Sequence, residues 1–354
     1  MHRCALLAFA ALGSSFFALH PWTSARADEP WRISGPVTHE NLTVYFIHGS
    51  SAVGPVPLTL AEALAAKAVR VTETGSVNAL TIENLGDHEV FVESGDIVKG
   101  GRQDRVLSVS LVLPPHSGAV PITAFCVEHG RWSRRGSEDA TRFESASAAV
   151  PTRAARLAIQ SAPVAGAVEP YPAPAQYAAT ADIAARQHKV WEEVDRVQRA
   201  LSSKLAAPVA SPQSASSLQL SLENDKLKQA QKNYVAGLQP AGERESDIVG
   251  YAFAVNGKLD SAEIFPSNAL FRKLWPKLLT ANATEAIASN GAAAAAVPSS
   301  ADVLAFLRAA EAGTASQQPL TRSALLETRR GDKGVYLETR RADGSWVHRS
   351  YVAN

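Results

Sequence analysis

Sulfur is scarce in this chain of 354 residues, which has two cysteines, Cys4 and Cys126, and a single methionine at position 1. Cys4 falls inside an expected leader, which leaves one thiol, and one thiol makes neither an internal disulfide nor a cysteine-based zinc site. A lone cysteine in an oxidising compartment is usually a small buried hydrophobe, and Cys126 is expected to be one. Excess charge of either sign is lacking as well. Lys and Arg number 35 against 34 Asp and Glu, a formal net charge of +1, which excludes a bulk electrostatic binder of nucleic acid. The histidines are scattered: His48, His88, His116, His129, His188 and His348 show neither His-x-His nor His-Glu-x-x-His spacing, so no metal site is expected. No motif names a cofactor, no repeat of solenoid length is visible, and no apolar run beyond the leader is long enough to span a bilayer.

The N-terminus has the physical features of a cleavable signal. Arg3 supplies the positive start, Ala5 to Leu19 is apolar apart from Gly13, Ser14 and Ser15, and Ala25-Arg26-Ala27 is a small-x-small cleavage pattern. Cleavage after Ala27 and a periplasmic or secreted product are expected. Loss of Arg3 and Arg26 would turn the net charge of +1 into about −1.

From Trp31 to Trp132 the pattern is mainly of short strands. Leu42, Val44 and Phe46 alternate with polar or aromatic neighbours, and Val69–Thr72, Ala79–Glu83, Val90–Glu93, Val106–Leu113 and Val120–Glu128 follow. One short helix is expected over Leu58–Lys67, with Thr59 as N-cap and Glu62 closing a capping box. Residues 136–180 are rich in Ala, Ser and Pro and read as a connector with a helical piece near Thr152–Ile159. Ile183, Val190, Val194, Val197 and Leu201 then fall at helical spacing, and Leu227, Ala230, Tyr234 and Leu238 form a second stripe, giving a helical hairpin over 181–238. Strands return around Asn256-Gly257, a strong hairpin signal, and again around Asp343-Gly344. Helices are expected at Asn268–Thr280, with Pro276 kinking or restarting it, and at Ala301–Ala312.

The expected fold is α+β. An antiparallel sandwich-like unit (28–135) is followed by the connector, a projecting helical hairpin, and C-terminal strands (239–354) that pack back on the first unit.

Three stretches carry a resemblance: Gly75-Ser76-Val77-Asn78 leading into Thr81-Ile82-Glu83-Asn84, the run Gly95–Arg105, and Phe125-Cys126-Val127-Glu128-His129-Gly130-Arg131-Trp132. Val249-Gly250-Tyr251-Ala252-Phe253 and Phe271–Leu279 add a C-terminal signature. Together these resemble the ARG and Rhodanese-Phosphatase-superfamily-associated Protein domain, over roughly Gly35 to Val352. The resemblance implies one family-wide unit and, through the family's association with ADP-ribosylglycohydrolases and phosphatase-like proteins, a link to NAD or ADP-ribose metabolism. It brings no catalytic residues with it.

The densest chemistry lies in Glu93–Arg105. Gly100 and Gly101 permit positive φ and close approach, and Lys99, Arg102 and Arg105 flank them with cationic donors, so an anion cradle is one reading. The glycine spacing matches neither a Walker loop nor a dinucleotide fingerprint, and a tight turn braced by ion pairs is the other reading. Downstream, strand alternation puts Cys126 and Glu128 on one face and His129 on the opposite one, which argues against a local Cys–His dyad. Glu128, His129 and Asp104 are the candidate acid–base groups, and Arg131 is a further anion contact. Two functions follow. One is an exported protein that binds or hydrolyses a small phosphorylated or ADP-ribose-like ligand at residues 95–105. The other is a non-enzymatic envelope protein that meets a protein partner through 181–238.

Overall fold

The computed structural model of the chain describes residues 31–160, 173–289, 296–321 and 324–354; the expected leader and its cleavage site lie outside them. Three sheets and seven helices among these residues make the fold α+β. The largest sheet is antiparallel throughout, in the order β1 (Arg32–His39), β2 (Leu42–His48), β12 (Ile248–Val255), β13 (Lys258–Ile264), β17 (Trp346–Ala353), β16 (Gly334–Arg341), β15 (Ala324–Gly331) and β14 (Thr314–Thr321). A second sheet runs β11 (Phe143–Ala149), β7 (Asp96–Gly100), β8 (Arg105–Leu107), β10 (Gly118–Cys126), β5 (Ala79–Asn84) and β4 (Val69–Glu73). A small third sheet holds β3 (Leu58–Thr59), β6 (Val90–Val92) and β9 (Leu111–Leu113). The helices are α1 (Leu60–Ala65), α2 (Arg153–Gln160), α3 (Ala173–Lys204), α4 (Leu218–Leu222), α5 (Asp225–Glu243), α6 (Asn268–Ala288) and α7 (Ser300–Glu311).

Local sequence explains several of these elements. The Thr59 hydroxyl accepts from the Glu62 amide at 3.2 Å, and Glu62 accepts from the Thr59 amide at 2.8 Å, a complete capping box that starts α1. Asn256 and Gly257, with φ of 51° and 75°, form the primed turn that joins β12 to β13. Helix α6 runs unbroken through Pro276, beyond the expected end at Thr280, because Leu274, Trp275, Leu278 and Leu279 hold it against the sheet. The alternating run Val106–Leu113 is not one strand. Ser108 bonds Thr123 on the β10 side, the chain turns, and Leu111–Leu113 pairs with β6 instead. Side-chain alternation cannot register a change of partner.

The N- and C-terminal strands share sheets and cores, so the two ends of the chain fold as one body. Leu326, Val335 and Leu337 pack with Leu60, Val71, Ile82, Leu107 and Ile122. A second core sets Tyr234, Leu238, Phe271 and Trp275 of α5 and α6 against Val44, Phe46, Tyr251 and Phe253. The apolar stripe of α3, Val190, Val194, Val197 and Leu201, is buried behind Ile97, Val106 and Phe125. The helices expected to project therefore lie on the body, and α3 forms the back wall of the region that carries the candidate residues. The expected connector also contributes structure of its own, β11 and α2.

Candidate functional site

The run Glu93–Arg105 crosses from the third sheet into β7, turns at the two glycines and enters β8. Gly100 and Gly101 have φ of +124° and +57°, which favour glycine at both positions. A Cβ on Gly101 would lie 2.2 Å from Phe143 Cζ, and one on Gly100 would lie 2.4 Å from the Arg142 carbonyl. The approach that the glycines permit is thus to β11 and its lead-in. Their amides are committed too: Gly100 N donates to Asp104 Oδ1 at 3.0 Å, Gly101 N to the Arg142 carbonyl at 3.1 Å, and Arg102 N to Glu73 Oε1 at 2.9 Å. Lys99 turns away and clasps both oxygens of Glu223, at 2.8 and 3.0 Å. Burial pushes the Glu223 carboxyl up, but the Lys99 bond and further partners outweigh it and hold it below its ordinary value.

Asp104, Glu128 and Arg131 do come together around Arg135, while Arg105 turns to the Val77 and Gln103 carbonyls and to Glu73. Arg135 reaches Asp104 at 2.9 Å, Glu128 at 3.4 Å and Glu138 at 2.8 Å. Asp104 also accepts from the Ser217 hydroxyl at 3.1 Å, and Glu128 from Arg131 Nε at 2.7 Å. Burial works to lower the Arg135 pKa, and the hydrogen bonds it donates to Asp104 and Glu138 raise it past its ordinary value. Asp104 and Glu128 therefore spend their acceptor capacity on arginines, which suits a fixed frame better than a proton-transfer pair. His129, in the bend after β10, is exposed, edge-on to Trp191 at 4.6 Å, and does not join them. Cys126 is buried, donates to Gln103 Oε1 at 2.7 Å and is clasped through its backbone by Gln187 of α3. Burial pushes its thiol up to about 12, far from a reactive thiolate.

What this frame presents outward is a cationic aromatic face. Trp132 is 40% exposed, with the guanidinium carbons of Arg102 and Arg105 at 5.4 and 5.5 Å from its ring centre. Arg102 is exposed, while the Arg105 side chain is fully buried beneath it. One terminal nitrogen on Arg105 and one on Arg131 make no hydrogen bond, each having only a carboxylate oxygen 3.6 Å away. Exposed planar carbon beside the exposed Arg102 guanidinium can hold a flat ring and an anionic group together. Trp132, Gln103, Glu73 and Arg135 were not among the residues singled out from sequence. Trp132 closes one of the quoted stretches, and its spacing from Arg131 was the available signal.

A second polar cluster lies inside the protein. Asp96 pairs with Lys277, and Arg156 binds Asp260 at 2.7 Å. Glu263 meets His348 at 3.1 Å, and both oxygens of the buried Glu93 lack a hydrogen-bond partner. Burial, then the charges of Asp96 and Glu263, push the Glu93 carboxyl well above its ordinary range. Lys277 lies in the C-terminal signature and Asp96 in the glycine run, so two distant landmarks meet here.

Near the sheet edge, His48, Glu245 and Asp247 place three potential ligand atoms within 4.8 Å of one another. The Arg32 guanidinium already lies among them, 2.9 Å from Asp247 and 3.3 Å from Glu245, so a resident cation of the protein takes the place a metal would need. No helix among the described residues is long and apolar enough to cross a membrane.

No curated protein and no solved structure matches the chain. The model of one family, the ARG and Rhodanese-Phosphatase-superfamily-associated Protein domain, matches residues 31–352. That span runs from the sheet edge at β1 into β17, missing only the last residue of that strand, and the chain belongs to this family.

Proposed function

We propose that the protein binds a small anionic ligand with a planar ring, of the ADP-ribose or nucleotide type, on the face formed by Trp132, Arg102, Arg105 and Arg131. The observation that carries this reading is the exposed Trp132 ring flanked by two arginines, of which Arg102 is exposed. The ring would stack on Trp132, and the phosphates would meet the exposed Arg102 guanidinium, with Arg105 and Arg131 adding positive charge from beneath. Binding is favoured over hydrolysis, because Asp104 and Glu128 are held by arginines and His129 faces elsewhere. The association of the family with ADP-ribosylglycohydrolases points to the same ligand class. An interaction role for 181–238 has less behind it, since the apolar stripes of α3 and α5 are buried. The N-terminal leader pattern supports export, which fractionation of expressing cells would check.

The test is a thermal-shift panel of ADP-ribose, NAD, nucleotides and inorganic phosphate. A ligand that binds only the native state raises Tm by mass action. A shift with a ring-bearing phosphate that is lost in Arg102→Ala and Trp132→Ala is expected. A shift unchanged by both substitutions would put the ligand elsewhere.

A further inference from the structure

Three strands of the large sheet meet at its β1 edge in an arrangement that the ligand face does not use. In register, Arg32 of β1 lies opposite His48, the last residue of β2, and Ser34 is two residues along on the same face. Asp247 immediately precedes β12, whose first residue pairs with His48. The loop after β2 is pinned to it by a 2.9 Å bond from the Gly49 amide to the Asp247 carbonyl. The His48 ring is buried, with a side-chain exposure of 1%. Its Nε2 lies 2.6 Å from Ser34 Oγ, and its Nδ1 lies 2.8 Å from Asp247 Oδ1. Beside it opens a cleft of about 460 Å³, lined by Arg32, His48, Gly49 to Ser51, Ser246 and Asp247.

A hydroxyl, an imidazole and a carboxylate in that order, each within hydrogen-bond reach, are a nucleophile, its base and the group that orients the base. One neighbour interferes. A terminal nitrogen of Arg32 lies 2.7 Å from the same Nδ1 that faces Asp247. A guanidinium donates only, so while Arg32 holds that nitrogen, Nδ1 accepts and the ring proton sits on Nε2, where it faces Ser34 and cannot take its proton. If Arg32 leaves, Nδ1–H donates to Asp247, and Nε2 becomes the base. The Arg32 side chain is 56% exposed and borders the cleft, so an anionic group entering there can draw it away.

We propose that Ser34, His48 and Asp247 form a hydrolytic site for carboxylic esters that carry a second, anionic group, and that Arg32 is the lock this group releases. Ser34 Oγ bonds to the ester carbon while its proton passes to His48 Nε2. The C–O bond to the alcohol breaks, and that proton leaves with the alcohol. Water then attacks the acyl-serine and gives a proton to Nε2, which returns it to Ser34 as the acid is released. The substrate carbon and every electron pair are accounted for without an oxidant or cofactor.

The experiment uses the full chain with two chromogenic esters, the mono-4-nitrophenyl ester of succinate and neutral 4-nitrophenyl butyrate, together with a fluorophosphonate probe read by peptide mass spectrometry. Turnover of the anionic ester is expected, falling about 100-fold or more in Ser34→Ala and His48→Ala. Arg32→Ala, with the lock gone, is expected to raise the rate on the neutral ester relative to the anionic one. The probe carries no anionic group to release the lock, so it is expected to label Ser34 faster in Arg32→Ala than in the wild-type chain. Absence of the Ser34 adduct together with inert esters would overturn the proposal, as would turnover that survives Ser34→Ala in a variant with wild-type circular dichroism. Neither result bears on the Trp132 face, which is built from different strands.

Discussion

Removing Arg135 probes the frame beneath the proposed ligand face most severely. Its side chain is 3% exposed and faces Asp104 and Glu128, both fully buried, as well as Glu138. Arg135→Met keeps most of the apolar stem but leaves two buried carboxylates short of a cation. Breaking a buried ion pair from one side costs about 3–5 kcal/mol. Against a total stability of about 5–15 kcal/mol for a folded domain, that is a large fraction. Urea unfolding followed by far-UV circular dichroism would read the loss as a lower midpoint at unchanged slope. The reasoning also fixes a rescue: Asp104→Asn in the same chain removes one orphaned charge, and the double variant should recover part of the loss. A deficit under about 1 kcal/mol in Arg135→Met, or a double variant weaker than the sum of its parts, would refute the account of the network.

Other consequences are equally direct. Gly101→Ala should lower stability by at least about 2 kcal/mol, from the left-handed φ and the collision with Phe143, and a midpoint within error of wild type would show that the loop is not packed as described. Burial, and next the charge of Asp260, lift the Glu285 carboxyl from 4.5 to about 7. The folded chain then keeps a proton that the unfolded chain has lost, so stability falls as pH rises from about 4.5 to 7, by up to about 3 kcal/mol. Glu285→Gln should flatten that slope, and identical pH profiles for the two proteins would contradict the assignment. Cys126, with its thiol pushed up to about 12, should resist iodoacetamide in the native state and react after unfolding, as mass spectrometry of its peptide would show.

Elements set by local chemistry were legible in the sequence. The Thr59–Glu62 box, the Asn256-Gly257 turn and the α3 stripe each depend on residues a few positions apart, and each appears where its pattern falls. β14 and β15 were not legible, because β14 is an exposed, polar edge with no alternation to reveal it. The candidate site was half legible. The glycine run and the Cys126–Trp132 stretch do meet in space, and Glu128 is buried while His129 is exposed, although both lie past the end of β10 at Cys126 and not on a strand. What those residues do was decided by partners far along the chain. Glu223, 124 residues from Lys99, takes that lysine out of any anion site, and Ser217 and Arg135 complete the hold on Asp104. Lys277 reaches Asp96 across 181 residues, and Asp247 reaches His48 across 199. No spacing rule spans such distances. Only the sheet order, which places β12 beside β2 and α6 beside β12, brings them together.

Calorimetric titration of ADP-ribose into the wild-type chain, Trp132→Ala and Arg102→Ala tests the central claim most directly. Losing a stacked ring or a charge-assisted contact costs about 1–3 kcal/mol, so each substitution should weaken binding roughly 10- to 100-fold, with wild-type affinity falling as salt is added. Affinity that is the same in all three proteins would contradict the account, because the ligand would then be held without the aromatic and cationic face on which the account rests.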